Sequence, residues 1–457
     1  MTSSINWRNT KQIVKYLLND ALHGSLNRSW LNNKYYKFLI MSSLLVAYLL
    51  YFYVNMQHFG SLRNGAKNLN AQNLMIASRI TISTYANVFS CLGILIYILT
   101  TALIRLTENS LFVIKILPFP RADILVAKKL FKLIVSGAIF ELFFVICAPL
   151  LTLVPLNMFS YIAMLCMLHI IFIATFLATD LIYSSVLSKT KCKIGTIKTI
   201  LDVVIGGATL VYLLRFRYFV DFKIAKLELP LVTMLSLTFV VFSLMLVCVV
   251  SIIIKLKLDL PEYKAQQYVK ICSLNKMSLV MLAVLAVVRT KLCIFSLVVI
   301  VFALVVIGWS NGISTSVKAI PVIWSMMGIT FIGFANSTFK IRKFFDLMRI
   351  SVVSEVFVLI ISILIINLPI ILMQILTQPD WKQIMMCLCI SLEAVFFGTL
   401  FPKHKGNLND FIGMVLLIIG VLSLYLVINI QSMLPLIFGI ITLLTTWVLH
   451  KERQEGL

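Results

Sequence analysis

The sequence predicts an all-α polytopic membrane protein with about twelve transmembrane helices, set out as two six-helix halves. Three observations carry this. Of 457 residues, 61% are hydrophobic and 12% charged, with a mean hydropathy of +1.02, whereas soluble domains are roughly half apolar and about a quarter charged. Nearly uncharged runs recur along the whole chain, each long enough to carry a helix across roughly 30 Å of hydrocarbon at about 1.5 Å per residue. Finally, the segments that precede the first and seventh of these runs share one pattern.

In chain order the runs fall at 36–54, 86–104, 133–154, 157–183, 199–214 and 231–254, then at 292–309, 320–336, 352–375, 383–401, 411–430 and 433–449. Each is bounded by charges or by Gly, Pro and Asn. The run at 199–214 is short and holds Asp202, and the last two share a tight connection near Gln431. The runs at 292–309 and 352–375 are apolar on every side. That excludes a transmembrane barrel, whose strands alternate between a lipid face and a polar lumen. Ahead of the first run, residues 5–34 interleave Trp7, Ile13, Val14, Leu17, Leu18, Leu22 and Trp30 with Lys and Arg, the pattern of a helix lying in the headgroup plane. Residues 268–291 repeat it, with Val269, Ile271, Met277, Leu282 and Val288 among Lys270, Lys276, Arg289 and Lys291. The fourth run ends in Ser188-Lys189-Thr190-Lys191 and the tenth in Pro402-Lys403-His404-Lys405, at matching places in the two sets of six. We read an internal duplication, with halves at 1–260 and 261–457.

The net charge of +23 comes from 40 Lys and Arg against 17 Asp and Glu. These cations sit in the connections rather than with aromatics on one face, so no nucleic-acid partner is expected. With the amino terminus inside, alternate connections and both ends hold 31 of the 40. The outside keeps Arg63, Lys67, Arg79, Arg215, Arg217, Lys223, Lys226, Lys318 and Lys382. Because cytoplasmic loops retain cations, both termini are expected in the cytoplasm. Residues 1–34 lack the short apolar core of a cleavable signal, so the first run is expected to direct insertion. Nine cysteines, most of them in the apolar runs, imply no disulfide framework. Cys387 and Cys389 point to different helix faces and read as small apolar fillers rather than metal ligands.

No phosphate-binding G-x-x-x-x-G-K-[ST] loop, H-E-x-x-H helix or G-x-S-x-G elbow is present, and no catalytic or metal-ligating constellation is expected. His169, the one histidine inside a run, reads foremost as a packing residue. Five acids fall in the runs. Asp180 and Asp202 lie near cytoplasmic ends, Glu355 near the start of the ninth run, and only Glu141 and Glu393 lie well inside. For Glu141 and Glu393 two readings stand: a group in a substrate path or gate, or a hydrogen bond between helices. The outside stretch 55–85 is either an exit cap or a polar loop, and from Leu74 onward it is apolar enough to extend the second helix.

Between the second and third runs, Thr107, Glu108, Leu111, Phe112, Lys115 and Leu117 belong to a stretch that can form a short amphipathic helix. Pro118 and Pro120 then impose an extended turn, and Asp123 precedes a basic amphipathic helix. A solvated basic loop is the alternative. The run Leu117-Pro118-Phe119-Pro120-Arg121-Ala122-Asp123-Ile124-Leu125-Val126-Ala127-Lys128 resembles the "L-P-[IVF]-[ST]-R-x-[ED]-[IL]-x-x-[AS]-K" segment of bacterial ABC-type exporter permeases of the second class, Pro120 replacing the usual small hydroxyl residue.

The resemblance implies an interfacial elbow helix before each six-span half, at 5–34 and 268–291. It also implies that Thr107 to Leu117, with Pro118 and Arg121, dock as a coupling helix on a cytosolic ATPase dimer. The equivalent loop of the second half holds Lys340, Arg342, Phe344 and Asp346 and lacks the Leu-Pro motif. Chains with two such halves resemble permeases of bacteriocin and peptide export or immunity systems in the bacterial cytoplasmic membrane. The chain itself would bind no cofactor, ATP and magnesium belonging to the partner, and it would contact membrane lipids. It would be a transport subunit rather than an enzyme. A gradient-driven twelve-span carrier or lipid-linked substrate flippase, dependent on Glu141 or Glu393, is the competing expectation.

Overall fold

The computed structural model describes residues 6–26, 35, 42, 45, 46, 49, 53, 71–103, 116, 119–151, 154, 156–190, 194–256, 278–342, 344, 345, 348–377, 381–402, 409–427 and 433–454. Among these residues there is no strand. The helices are α1 (Trp7–Leu26), α2 (Ala71–Leu103), α3 (Arg121–Leu151), α4 (Met158–Lys189), α5 (Ile194–Val211), α6 (Arg217–Ala225) and α7 (Leu231–Leu256). They continue with α8 (Leu279–Val288), α9 (Lys291–Asn311), α10 (Ile313–Trp324), α11 (Phe334–Arg342), α12 (Val352–Ile366), α13 (Leu368–Thr377), α14 (Trp381–Leu400), α15 (Asn409–Val427) and α16 (Met433–Gln454). A π-helical turn, Tyr212–Phe216, joins α5 to α6, and a 3-10 run, Ser325–Gly333, joins α10 to α11.

Nine helices among the described residues are long and apolar enough to cross a membrane. The pair α12 and α13, bent by 56° at its break, adds a tenth if it counts as one span. The chain is therefore a multi-pass helical membrane protein. Ten of the twelve predicted runs have their counterpart here. The first, 36–54, lies outside the described residues apart from isolated positions, and the eleventh is α15, whose apolar stretch Ile412–Val421 is shorter than a crossing. Of the predicted interfacial segments, α1 buries Thr10, Ile13, Val14 and Leu17 along one stripe and exposes Trp7 and Tyr16. In the second segment only α8 and the residues after it are described, and α8 itself carries no charge.

The expected run at 199–214 is instead a helical stretch from Ile194 to Ala225. Its continuation looks like a charged connection in sequence. It stays helical because Asp221, 2% exposed, accepts hydrogen bonds from Ser83 Oγ (2.6 Å), Thr84 Oγ1 (2.8 Å) and Asn87 Nδ2 (2.6 Å) of α2. The predicted run at 352–375 breaks at Asn367. Pro369 lacks the N–H that would continue the ladder and disfavours helical backbone at the residue before it. Asn367 is buried there, its Nδ2 donating to Ser391 Oγ (3.1 Å) and its Oδ1 accepting from Cys387 Sγ (3.2 Å). Cys387, read as a filler, thus closes a polar contact.

By contact clustering the chain divides into two compact units. One runs from the start of the chain to Lys264, leaving out Asp20–Ser25 of α1, and the other takes in those six residues and runs from Ala265 to Leu457. In the first unit α4 is the central helix, packed on α2 and α7. Gly93 of α2 permits the approach: a Cβ there would lie 2.1 Å from Thr175 Oγ1 of α4. Aromatic rings fill the layer between α2, α3 and α4. Phe140 stacks on Phe172 at 4.2 Å and meets Phe89 edge-on at 5.5 Å, and Tyr97 meets Phe176 at 5.3 Å.

In the second unit α14 is central, packed on the 3-10 run and α16, with α15 alongside. Here Gly398 lets α14 touch bare backbone, since a Cβ would lie 2.2 Å from the Ile332 carbonyl oxygen. The helices α9 and α10 reverse through the single residue Gly312, whose φ of 89° is one that glycine adopts without strain. Thus α4 packs on α2 and α7 in the first unit, and α14 packs on the 3-10 run and α16 in the second. In the first unit α1 also meets the start of α3, by hydrogen bonds to Asp123, and in the second unit α8 packs on α12.

Because the obstacle at Gly398 is backbone, Gly398→Ala is expected to cost about 1–3 kcal/mol, and Gly93→Ala less, since the Thr175 side chain can turn. Gly137, with nothing within 4 Å of a Cβ, is the control: its replacement by Ala is expected to cause no loss and a gain of up to about 1 kcal/mol. Thermal unfolding of the detergent-purified chain measures all three.

Candidate functional site

The ionisable groups of the first unit fall into clusters joined across helices. Asp123, in the first turn of α3 and 0% exposed, accepts from the Asn6 backbone N–H (3.0 Å) and from Asn9 Nδ2 (3.1 Å). A carboxylate is thereby placed against the N-terminus of α1, where the unpaired N–H groups and the helix dipole favour it. On α4, Asp180 is buried and ion-paired with Lys129 and, at 3.5 Å, with Lys132 of α3. The Lys132 ammonium also lies over the Tyr97 ring, 3.6 Å from its centroid. Close by in sequence on α4, Tyr183 donates to Asp202 of α5 (2.8 Å).

Glu141 and His169 form a third cluster, with His169 Nε2 3.0 Å from Glu141 Oε1 and Nδ1 2.8 Å from the Leu165 carbonyl oxygen. Both ring nitrogens face acceptors, so two protonation patterns satisfy the contacts: imidazolium with carboxylate, or neutral Nδ1–H imidazole with a protonated Glu141. Either pattern is neutral as a pair. Phe140 and Phe144 meet the imidazole edge-on at 5.2 Å and 4.9 Å, while the Glu141 side chain is 53% exposed.

In the second unit the largest cluster ties α11, α12 and α16 together. Arg342, 1% exposed, donates from Nε to Glu355 Oε1 (2.6 Å) and from Nη2 to Glu452 Oε2 (2.8 Å). Arg453 donates from Nη2 to Glu355 Oε2 (2.6 Å) and from Nη1 to the Ile350 carbonyl (2.6 Å). Two cations and two anions form a neutral chain of contacts in the order Glu452, Arg342, Glu355, Arg453, and Glu355 also lies in the first turn of α12, where negative charge is favoured. Burial opposes the charge on Arg342, but Glu355 and Glu452 beside it outweigh that and hold its pKa above the usual guanidinium value. The turn ahead of α12 carries Arg349 in the left-handed region (φ 54°), a conformation uncommon for a residue with a side chain. Arg453 and the Ile350 N–H bond to Phe345 O (2.9 Å) hold that turn in place.

Glu393 differs from all of these. It lies on α14, is 9% exposed, and its Oε2 is enclosed without a hydrogen-bond partner among the described residues. The described residues hold no group of three or more His, Cys, Asp or Glu able to bind a metal.

Of the residues singled out in sequence, Thr107, Glu108, Leu111, Phe112, Lys115, Leu117, Pro118 and Asp346 lie outside the described residues. Arg121 is exposed at the start of α3. Lys340 lies on α11, and Phe344 is 55% exposed in the turn that follows. Arg342, expected on a docking loop, instead points inward and holds the helices beneath that loop. Glu141 lies in the first unit and Glu393 in the second. Sequence reasoning missed Asp123 as an anchor for α1, Asp221 as an inward-facing acid, and Glu452 with Arg453 as buried ion-pair members. Arg453 counts as a loop cation in the sequence, and its pairing depends on residues 98 and 103 positions away.

No protein-family model matches this chain, and no curated protein or solved structure matches it either.

Breaking a buried ion pair leaves an uncompensated charge, which costs about 3–5 kcal/mol. Arg342→Gln and Glu452→Gln are each expected to lose about that much stability in denaturant unfolding, and the double variant less than the sum of the two, because they share one network.

Proposed function

We propose that this chain is the transmembrane permease subunit of an ATP-driven exporter of a bacterial cytoplasmic membrane. Both termini are cytoplasmic, twelve spans form two six-helix halves, and α1 and the segment around α8 are the elbow helices. A separate cytosolic ATPase dimer hydrolyses ATP with magnesium, and the cargo is a peptide or other amphiphile. The single observation that carries this reading is the bonding of Asp123, which belongs in sequence to the run Leu117 to Lys128 and lies in the first turn of α3. This residue is bonded to the start of α1. A soluble motor gripping Thr107 to Leu117 would move α3 and α1 as one body, transmitting a stroke to a span and to a surface helix together. The presence of one central helix in each unit supports a duplicated permease. With no phosphate-binding loop in its sequence, such a chain draws its free energy from a partner.

A gradient-driven carrier or lipid-linked substrate flippase is the second reading, favoured by Glu393, an acid within a span and without a counter-charge among the described residues. Vesicle transport separates the two, because collapsing the proton gradient abolishes carrier activity and spares ATP-driven export.

With the partner ATPase present, Phe112→Ala combined with Pro118→Ala is expected to lower export by about tenfold or more, equivalent to about 1.4 kcal/mol, and to reduce co-purification of the ATPase. Undiminished export by that variant, or full pumping by liposomes holding this chain alone, would overturn the assignment.

A further inference from the structure

Of the carboxylates placed above within the spans, Asp202 has Tyr183, and Asp221 has Ser83, Thr84 and Asn87. Asp180 has Lys129 and Lys132, and Glu141 has His169. Glu393 has no ion pair and no hydrogen-bond donor to Oε2 among the described residues. It lies seven residues before the end of α14, roughly 10 Å from that end at about 1.5 Å per residue. Its carboxyl is aimed at α15. A Cβ on Gly420 would lie 2.7 Å from Oε2 and 3.1 Å from the carboxyl carbon, so the bare backbone of α15 at Gly420 makes the room this group occupies and also covers it.

Among the described residues, the ionisable groups around it offer no counter-charge. On α14 itself they are Cys389 one turn earlier, Cys387, and Lys382 near the start of the helix. On α15 the positions are Asp410, at its beginning, and Tyr425. Lys318 is in the first half of α10, Arg342 and Glu355 of α11 and α12 are committed to their own network, and the charges of α16 are at its far end, His450 to Arg453. The 3-10 run and α13 carry none. An ionised carboxylate in this position gives up its solvation for nothing, whereas a carboxylic acid is neutral and tolerates the site.

We propose that Glu393 is a reversible proton-binding site, a carboxylic acid while α15 covers it at Gly420 and a carboxylate only when α15 moves off and admits water. The step is a plain proton transfer. The carboxyl O–H bond breaks, the proton passes to the entering water, the electron pair stays on the carboxylate, and the reverse restores the acid. Separation of α14 from α15 is thereby linked to proton release, whichever source of energy drives the protein.

A hydrophobic carbodiimide tests this on the full-length chain in native-lipid vesicles, because it adds to a protonated carboxyl and leaves a stable adduct that peptide mass spectrometry locates. Glu393 is expected to be modified near neutral pH, with the yield falling about tenfold per pH unit above its midpoint, as the acid form does. Gly420→Ala, which crowds the carboxyl, is expected to shift that midpoint. Gly439→Ala, where a Cβ meets nothing within 4 Å, is expected to leave it unchanged. No adduct at Glu393 at any pH, or a yield that does not vary with pH, overturns the proposal, and that arm needs no variant. A Gly420→Ala midpoint identical to wild type overturns the link to α15.

Discussion

A charge that leaves water for a helix bundle in lipid must find an opposite charge, a set of donors or a proton. In this protein that requirement organises much of the tertiary structure. Lipid tails are as apolar as leucine, so burying one apolar helix face against another does little to choose the partner. The choice falls to groups that cannot be left alone. Asp221 draws α6 onto α2, Asp180 joins α4 to α3, and Arg342 draws α12 and α16 to α11. Each joins residues distant in sequence, at separations from 13 for Arg342 with Glu355 to 138 for Ser83 with Asp221.

Close packing then fixes the geometry these pairs select. Gly93 against Thr175 and Gly398 against the Ile332 carbonyl sit where the central helix of each unit meets a neighbour, and both contacts exclude even a methyl group. Small residues at such crossings let backbones approach and gain dispersion contacts that longer side chains would prevent. With α2 and α7 around α4 in one unit, and the 3-10 run and α16 around α14 in the other, each unit is built on one central helix with different side chains. The close approach is made by a Gly–Thr contact in one and a Gly–backbone contact in the other.

The polar clusters sit where helices leave or enter connections, and this bears on how motion could pass through the molecule. Asp123 makes the base of α3 and the start of α1 a single fixture. The network of Arg342, Glu355, Glu452 and Arg453 does the same for α11, α12, α16 and the turn at Ile350. Within the second unit, the contact of Glu393 with Gly420 has no such cross-brace, so α15 is held there by packing instead of by charge.

Much of this was legible in the residues, and what was not has a definite cause. Ten of the twelve predicted runs have a counterpart because membrane crossing demands long uncharged runs, a requirement local in sequence. Residues 352–375 read as one run, although Pro369 carried the signal for the break. The run at 199–214 was drawn too short because Arg217 and Asp221 look like loop charges until Ser83, Thr84 and Asn87 are known to face them. Arg342 was placed on a surface loop for the same reason, its partners lying on two other helices. The sequence by itself determined the helical membrane class, the approximate spans and the acids that would need an explanation. Only the tertiary structure decided that Asp180, Asp221 and Glu355 are compensated while Glu393 has no partner for Oε2 among the described residues, because a side chain's solvation depends on neighbours brought from far along the chain.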